Sequence, residues 1–534
     1  MIRDALASAV HDALVALAVA PLPEHVSMER PANRSHGDWS SNVALASAKR
    51  AGRNPRELAA QLVEHLNENP PTHVTSVEIA GPGFVNFRLA PTWLHDVLAD
   101  VVDGGSEGYA RPDVGEGESV NVEFVSANPT GPVHAGHARG AAHGDAVARL
   151  LARTGHVVTR EFYVNDRGVQ MQKFGASLAA RKAGEEVPEG GYLGEYITEW
   201  AQELPDEVDP VVWGEERAIV DQREALGSFN VHFDRWFSEL TLVNSGAITE
   251  TLATLLDKGV AFEQDGATWL RSTDYGDDKD RVLVKSDGEY TYLLPDIAYH
   301  RDKFSRADRL INVWGADHHG YVVRMKAAMA ALGYDPDKLE VEIVQMVDLL
   351  KDGEPMKLSK RAGTVVDLRD IVDEVGTDAA RLTYLLQSID SRQTVDLAEV
   401  ASQGMDNPVF YIQMAHARIH GITRKAAEAG FTRGDLARAD LSLLTHEREL
   451  EVLRSLSELP EVVVVAARDR APHKITTWVR ELAGNFHGFY HDCYVVGEGI
   501  SPELTEARLQ LVESSRIGFA IGLDLLGVSA PESM

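Results

Sequence analysis

The chain has 534 residues, too many for one hydrophobic core, and its length points to about three or four domains. It is 44% hydrophobic, so it should fold, and its formal net charge of −30 argues against a partner bound by overall basicity. A single cysteine, Cys493, excludes an internal disulfide and a cysteine-built zinc site. No apolar run approaches the ~20 residues of a bilayer span, and the amino terminus carries Asp4 without the apolar core of a secretory signal. A cytoplasmic enzyme fits these limits.

Residues 1 to about 105 are expected to form a first, α+β module. The Ala/Leu-rich stretch Arg3 to Val19 reads as a helix, and a second runs from Val43 to Arg50 and stops at Gly52. Asn54-Pro55 opens a third, with Asn as cap and Pro in the first turn. Val74 to Ala80 and Phe84 to Leu89 read as strands about the turn Gly81-Pro82-Gly83. Lys49, Arg50, Arg53 and Arg56 cluster at the helix junction, which suits a solvated junction as well as a nucleic-acid contact.

Gly104-Gly105 and Asp113 to Glu118 resemble a linker. From 106 to about 395, strands alternate with helices, the pattern of a parallel α/β sheet. Val120 to Val125 is a β-rich run, broken by Asn128-Pro129-Thr130-Gly131-Pro132, and an Ala-rich helix follows from His134 to Arg153. Strand, tight turn and helix together present backbone N–H groups and a positive helix end to phosphates. His134 and His137 share a face at that end, and Gly136 between them would let a nucleotide lie close to the backbone.

A charged, helix-patterned insertion is expected at about 170–280. Residues 171–290 hold 25 acidic against 11 basic side chains, so nearly half the excess charge sits there. Arg281 to Leu294 is β-like, with Pro295 holding Leu294 extended, and brings Tyr292 and Asp296 four residues apart. Asp317-His318-His319-Gly320 offers a pocket-lining histidine; without matched ligands nearby, a metal site is not expected there. Val341 to Leu350 reads as a strand, and Asp352-Gly353 as a turn. The loop that follows carries Lys357 and Lys360 around Ser359, ammonium groups suited to a triphosphate whose charge redistributes during reaction. From 396 to 534 the pattern is helical, with His416, Arg418 and Arg424 on one helix.

His134-Ala135-Gly136-His137 and Lys357-Leu358-Ser359-Lys360-Arg361, about 220 residues apart, resemble the HIGH and KMSKS signatures of class I aminoacyl-tRNA synthetases. Glu123-Phe124-Val125-Ser126-Ala127-Asn128-Pro129-Thr130-Gly131-Pro132, Asp296-Ile297-Ala298-Tyr299-His300-Arg301-Asp302-Lys303 and Gly315-Ala316-Asp317-His318-His319-Gly320-Tyr321 resemble the bacterial arginyl-tRNA synthetases in particular. Gly37 to Ala44 and Ala80 to Phe87 look like that family's amino-terminal domain, and Gln413 to Arg418 and Leu525 to Val528 like its anticodon-binding domain.

The resemblance implies a Rossmann-like catalytic domain at 106–395, between a tRNA-contacting domain at 1–105 and an all-helical anticodon-binding domain at 396–534. It implies ATP with Mg²⁺, L-arginine and tRNA as ligands, arginyl adenylate as intermediate, and a monomer. His134, His137, Lys357 and Lys360 would be catalytic, with Gly136 and Ser359 also at ATP; Glu123, Asn128, Tyr292, Asp296 and His318 would surround arginine. Lys49, Arg50, Arg53, Arg56, His416 and Arg418 would meet tRNA. The chain departs from the family at Leu293-Leu294-Pro295, where a polar residue is usual, and at Leu358 and Arg361 in the second signature. Two rivals are a nucleotidyltransferase with a small acceptor, which would need no helical platform, and a non-enzymatic paralogue, which would not need all four catalytic groups.

Overall fold

The computed structural model describes residues 2–31, 33–356, 366–402 and 404–532. The chain forms two compact units, each assembled from separate stretches. One gathers Met1–Gly105, Ile422–Ser457 and Gly488–Ser515; the other Ser106–Gly421, Glu458–His487 and Arg516–Met534. The residues from 396 onward are helical, as expected, over Pro408–Glu428, Glu447–Arg468, His473–Asp492 and Pro502–Leu526, but they contribute to both units.

In the first unit, helices Ile2–Ala16, Val43–Ala51 and Pro55–Glu68 cover a three-stranded antiparallel sheet. Phe84–Leu89 is its central strand, between Trp39–Ser41 and Val74–Ala80. The third helix starts as its residues dictate: Asn54 Oδ1 accepts from the backbone N–H of Arg56 at 2.9 Å and of Glu57 at 3.3 Å, and Pro55 needs no donor there. Leu6, Val10, Leu14, Leu58, Leu62 and Phe87 build the core.

The second unit is organised by five parallel strands: β1 (Ser119–Glu123), β2 (Val157–Val164), β3 (Arg235–Ser238), β4 (Arg309–Gly315) and β5 (Leu339–Val344). Their spatial order is β5-β4-β1-β2-β3, so the winding direction reverses between β1 and β4. A reversal of this kind opens a crevice at the carboxyl ends of the strands, where α/β proteins bind ligands. Helix α1 (Ala138–Arg153) follows β1, and helix α2 (Leu293–Phe304) precedes β4. Two small three-stranded sheets accompany them, one of Ala261–Gln264, Ala267–Leu270 and Arg281–Val284, the other of Val347–Lys351, Glu354–Pro355 and Gln393–Asp396.

Three local expectations need correction. The segment 170–280 does not simply interrupt the sheet, because β3 lies within it and pairs with β2. Val341 to Leu350 is two strands: β5 ends at Val344, where the Gln345 N–H donates to the Ile389 carbonyl instead of the β4 ladder, and Val347 starts another sheet. The β-like run from Arg281 stops at Val284, and Leu293 and Leu294 belong to the first turn of α2. Pro295 shares that turn, where a missing backbone donor costs nothing, so Leu294 is helical rather than extended.

Candidate active site

The turn after β1 is strained. Val125 and Ser126 have φ of 68° and 43°, and a β-branched residue in the left-handed region costs on the order of 1–3 kcal/mol. Surrounding polar groups hold it. Ser126 Oγ donates to Glu123 Oε1 at 3.0 Å and accepts from the Tyr163 N–H at 3.1 Å. Gln222 Nε2 donates to the carbonyls of Asn128 and Gly131, each at 3.0 Å.

The chain then enters the HIGH-like segment. His134 caps a short 3₁₀ turn, Ala135–His137, that leads into α1; its Nδ1 accepts from the Gly136 N–H at 3.1 Å. The rings of His134 and His137 lie 3.9 Å apart. A Cβ on residue 136 would stand 2.8 Å from the His134 ring, so glycine is what lets the imidazole occupy this place. The Ala135 N–H donates to the Val366 carbonyl, and the Leu368 N–H to that of Val133, both at 2.9 Å. The residues just beyond the Lys-x-Ser-Lys signature are thus stitched to the first signature. Lys357, Ser359 and Lys360 themselves lie outside the described residues.

The expected arginine-binding residues divide into an inner and an outer group. Glu123, at the end of β1, accepts from Lys303 Nζ at 2.6 Å. Asp296, in the first turn of α2, accepts from the Tyr321 hydroxyl at 2.6 Å. Burial pushes its pKa up to about 7, the Tyr321 hydrogen bond opposes this, and the negative charges of Glu239 and Glu123 add to it. Burial also lifts Glu239, against the Tyr163 hydroxyl and the Arg167 guanidinium 3.3 Å away. Glu123 and Glu239 therefore each have a cation, while among the described residues Asp296 makes no ion pair. Tyr292 is 89% exposed, and Asn128 and His318 are exposed as well. Asn128 donates to Gln170 at 2.8 Å, and His318 lies 3.6 Å from Asp317.

Glu239, Tyr163, Tyr321, His300 and Lys303 join the site without having been singled out by sequence. The last two had a readable signal: Asp296, Tyr299, His300 and Lys303 form a polar stripe at helical spacing among Leu293, Leu294 and Ile297. Glu239 had none, since β3 places it by long-range pairing.

Among residues expected at tRNA, Lys49, Arg50 and Arg56 are exposed. Arg53 is half-buried and donates to the Leu17 carbonyl at 3.0 Å and to Gln61 at 3.3 Å. His416 is a correction: it is 4% exposed, its Nδ1 bonded to the Pro531 carbonyl at 2.8 Å, and so packs the helices instead of meeting a phosphate. Arg418 is half-buried and donates to His487 Nδ1 at 2.7 Å.

The sheet reversal between β1 and β4, the paired histidines opening the helix after β1 and the helical carboxyl-terminal region suit a class I aminoacyl-tRNA synthetase. Family models agree: the class I (R) tRNA synthetase catalytic domain matches residues 104–190 and 219–420, the arginyl-tRNA synthetase N-terminal domain 1–89, and the DALR anticodon-binding domain 412–534. The chain belongs to the arginyl-tRNA synthetase family, enzymes that aminoacylate tRNA with arginine. It is 45% identical to the arginine–tRNA ligase of Desulfitobacterium hafniense, over 96% of this chain and 94% of that protein. It is also 45% identical to that of Geobacillus thermodenitrificans, over 97% and 96%. Its fold matches the Thermus thermophilus arginyl-tRNA synthetase structure with a TM-score of 0.77 at 23% identity, across the whole of both chains.

Proposed function

We propose that the crevice binds L-arginine with its guanidinium at Asp296, among the carboxylates of Glu123 and Glu239, and activates it with ATP. The observation that carries this reading is Asp296: a carboxylate held by one hydroxyl, beside two others, with no cation of its own among the described residues. A permanently charged, planar guanidinium answers that need. Tyr292, Asn128 and His318 would close on the ligand from the exposed rim. A site that demands several such bonds rejects neutral analogues, so discrimination needs no editing domain.

The arginine carboxylate attacks the α-phosphate of ATP and pyrophosphate leaves; the terminal ribose hydroxyl of tRNA then attacks the arginyl carbonyl and AMP leaves. His134 and His137 bind ATP and stabilise the charge developing in the first step, Gly136 lets the nucleotide approach, and Lys357, Ser359 and Lys360 serve the phosphates. Mg²⁺, a small cation that keeps several waters and binds through substrate phosphates with one or two carboxylates, is assigned to the ATP phosphates. Lys49, Arg50 and Arg56, with lesser parts for Arg53 and Arg418, are assigned to tRNA. The reading includes domains at 1–105, 106–395 and 396–534, a monomer, and action in the cytoplasm.

Arginine-dependent ATP–pyrophosphate exchange, run with and without tRNA, tests the proposal. Exchange that requires both arginine and tRNA is expected, with tRNA completing the site by induced fit. Exchange with another small acid in place of arginine supports the small-acceptor rival, and no exchange under any condition supports the non-enzymatic one.

A further inference from the structure

We propose that Asp221 and Gln222, neighbours on the helix Pro210–Ser228, are positioning residues for arginine activation: together they hold the turn before His134 and the segment after Lys360 at one spacing. The inference rests on the roles proposed above for the two signatures. Neither residue belongs to a signature, and the helix that carries them lies in the charged stretch between β2 and β3.

Gln222 serves the first signature. Its side chain is fully buried. The amide Nε2 has two protons, and both go to the turn: one to the Asn128 carbonyl and one to that of Gly131, each at 3.0 Å. A second helix of the same stretch, Glu195–Glu203, adds to this grip, because the Tyr196 hydroxyl donates to the Thr130 carbonyl at 2.8 Å. These carbonyls belong to no strand or helix, so side chains supply their partners and decide where the turn stands.

Asp221 serves the second. It is 6% exposed. Its Oδ1 accepts from Arg369 Nη1 and its backbone carbonyl from Arg369 Nη2, both at 2.9 Å. The planar guanidinium is therefore fixed in direction as well as distance. Arg369 stands in the first turn of the helix Leu368–Val375. The cap of that helix, Asp367, accepts from the Arg369 N–H at 3.2 Å and forms an antiparallel bridge with His134.

The contacts close a ring. From Gln222 it passes to Gly131, along the chain to Val133, across to Leu368 through the 2.9 Å N–H···O bond, and by Arg369 back to Asp221. The short backbone pairing alone would let the two segments hinge about it; the ring removes that hinge. The helix is itself seated in a separate apolar cluster, with Ala218 packed among Phe174, Leu178 and Trp200. Activation requires imidazole and ammonium groups to meet one triphosphate at the same moment, and a misplacement of about 1 Å costs about 10²-fold.

ATP–pyrophosphate exchange at saturating arginine, ATP and tRNA, paired with calorimetric titration of arginine, tests this. Asp221→Leu keeps the bulk and removes the acceptor. It is expected to lower the exchange rate about 10–100-fold while moving the Kd for arginine less than about threefold. Should it fail to fold, Arg369→Leu opens the ring at a partly exposed position and must show the same split. Opening a ring twice costs little more than opening it once, so Asp221→Leu with Gln222→Leu should fall no more than about threefold below the worse single variant. Equal losses of exchange and arginine affinity, unchanged exchange, or losses that multiply in the double variant overturn the proposal. Failure of the underlying reading looks different: His134→Ala and Lys360→Ala would then leave exchange intact.

Discussion

At the scale of single residues, Asp296 governs how the site responds to pH. Burial, with the charges of Glu239 and Glu123, pushes its pKa up to about 7. Binding a guanidinium requires the ionised form, so arginine affinity should be flat above pH 7 and fall by about tenfold per unit below it, where binding releases the proton held by the free site. Titration calorimetry at pH 5.5 to 8 in buffers of differing ionisation heat reads both effects; a flat profile would remove Asp296 from charge recognition. The same shift implies a cost to stability. A carboxyl whose folded pKa is raised destabilises the fold increasingly as pH climbs from its unfolded value to about 7. Asp296→Asn should therefore raise the free energy of unfolding by on the order of 1–3 kcal/mol at pH 8 and by nothing at pH 3, while abolishing arginine binding. Gly136 makes a steric prediction. With a Cβ due 2.8 Å from the His134 ring, Gly136→Ala should displace the imidazole and lower pyrophosphate exchange about 10²-fold, leaving the Kd for arginine unchanged. Near-normal exchange would show that the position of His134 is not critical.

At the scale of elements, α1 is held by a buried guanidinium. Arg381, fully buried on helix α3 (Thr377–Tyr384), donates to Asp145 Oδ2 at 2.6 Å, to the Phe229 and Asn230 carbonyls at 3.0 Å each, and to the Leu526 carbonyl through Nε at 3.1 Å. Asp145→Ala strands that charge and should cost about 3–5 kcal/mol, whereas a companion Arg381→Leu should recover much of it. Hydrogen exchange along α1 reads the difference; additive losses would show that the pair is not coupled. Elements of this kind mark what the sequence could disclose. The Asn54-Pro55 cap, the hairpin about Gly81 to Gly83 and the strand–turn–helix at His134 were legible because neighbours in the chain determine them. The β3 strand was hidden because four residues paired at the edge of a sheet carry little periodicity. Leu293 to Pro295 misled because a proline reads as a breaker until the helix is seen to begin two residues before it. Glu123 and Asp296 were recoverable from motif, but their partners Lys303 and Tyr321 depend on how α2 meets the sheet.

At the scale of the whole molecule, a net charge of −30 coexists with tRNA as a partner because charge acts locally. The exposed Lys49, Arg50 and Arg56 are the groups to test, since Arg53 is already engaged with Leu17 and Gln61. Reversing the three to Glu should raise the KM for tRNA and reduce the slope of log affinity against log salt by about 0.7–0.9 for each phosphate left without its cation. The KM for arginine should stay put. An unchanged slope would mark the cluster as solvated surface.

The discontinuity of the second unit also has a consequence in time. The Leu526 carbonyl that completes the shell around Arg381 lies 145 residues further along the chain. At ribosomal rates of about 5–20 residues per second, Arg381 waits roughly 7–30 s for it after being made. During that interval a guanidinium destined for the interior lacks part of its coordination, and the nascent strands and α1 stand together without their last clasp. Incomplete burial during that interval is the condition in which chaperones and proteases act on a nascent chain.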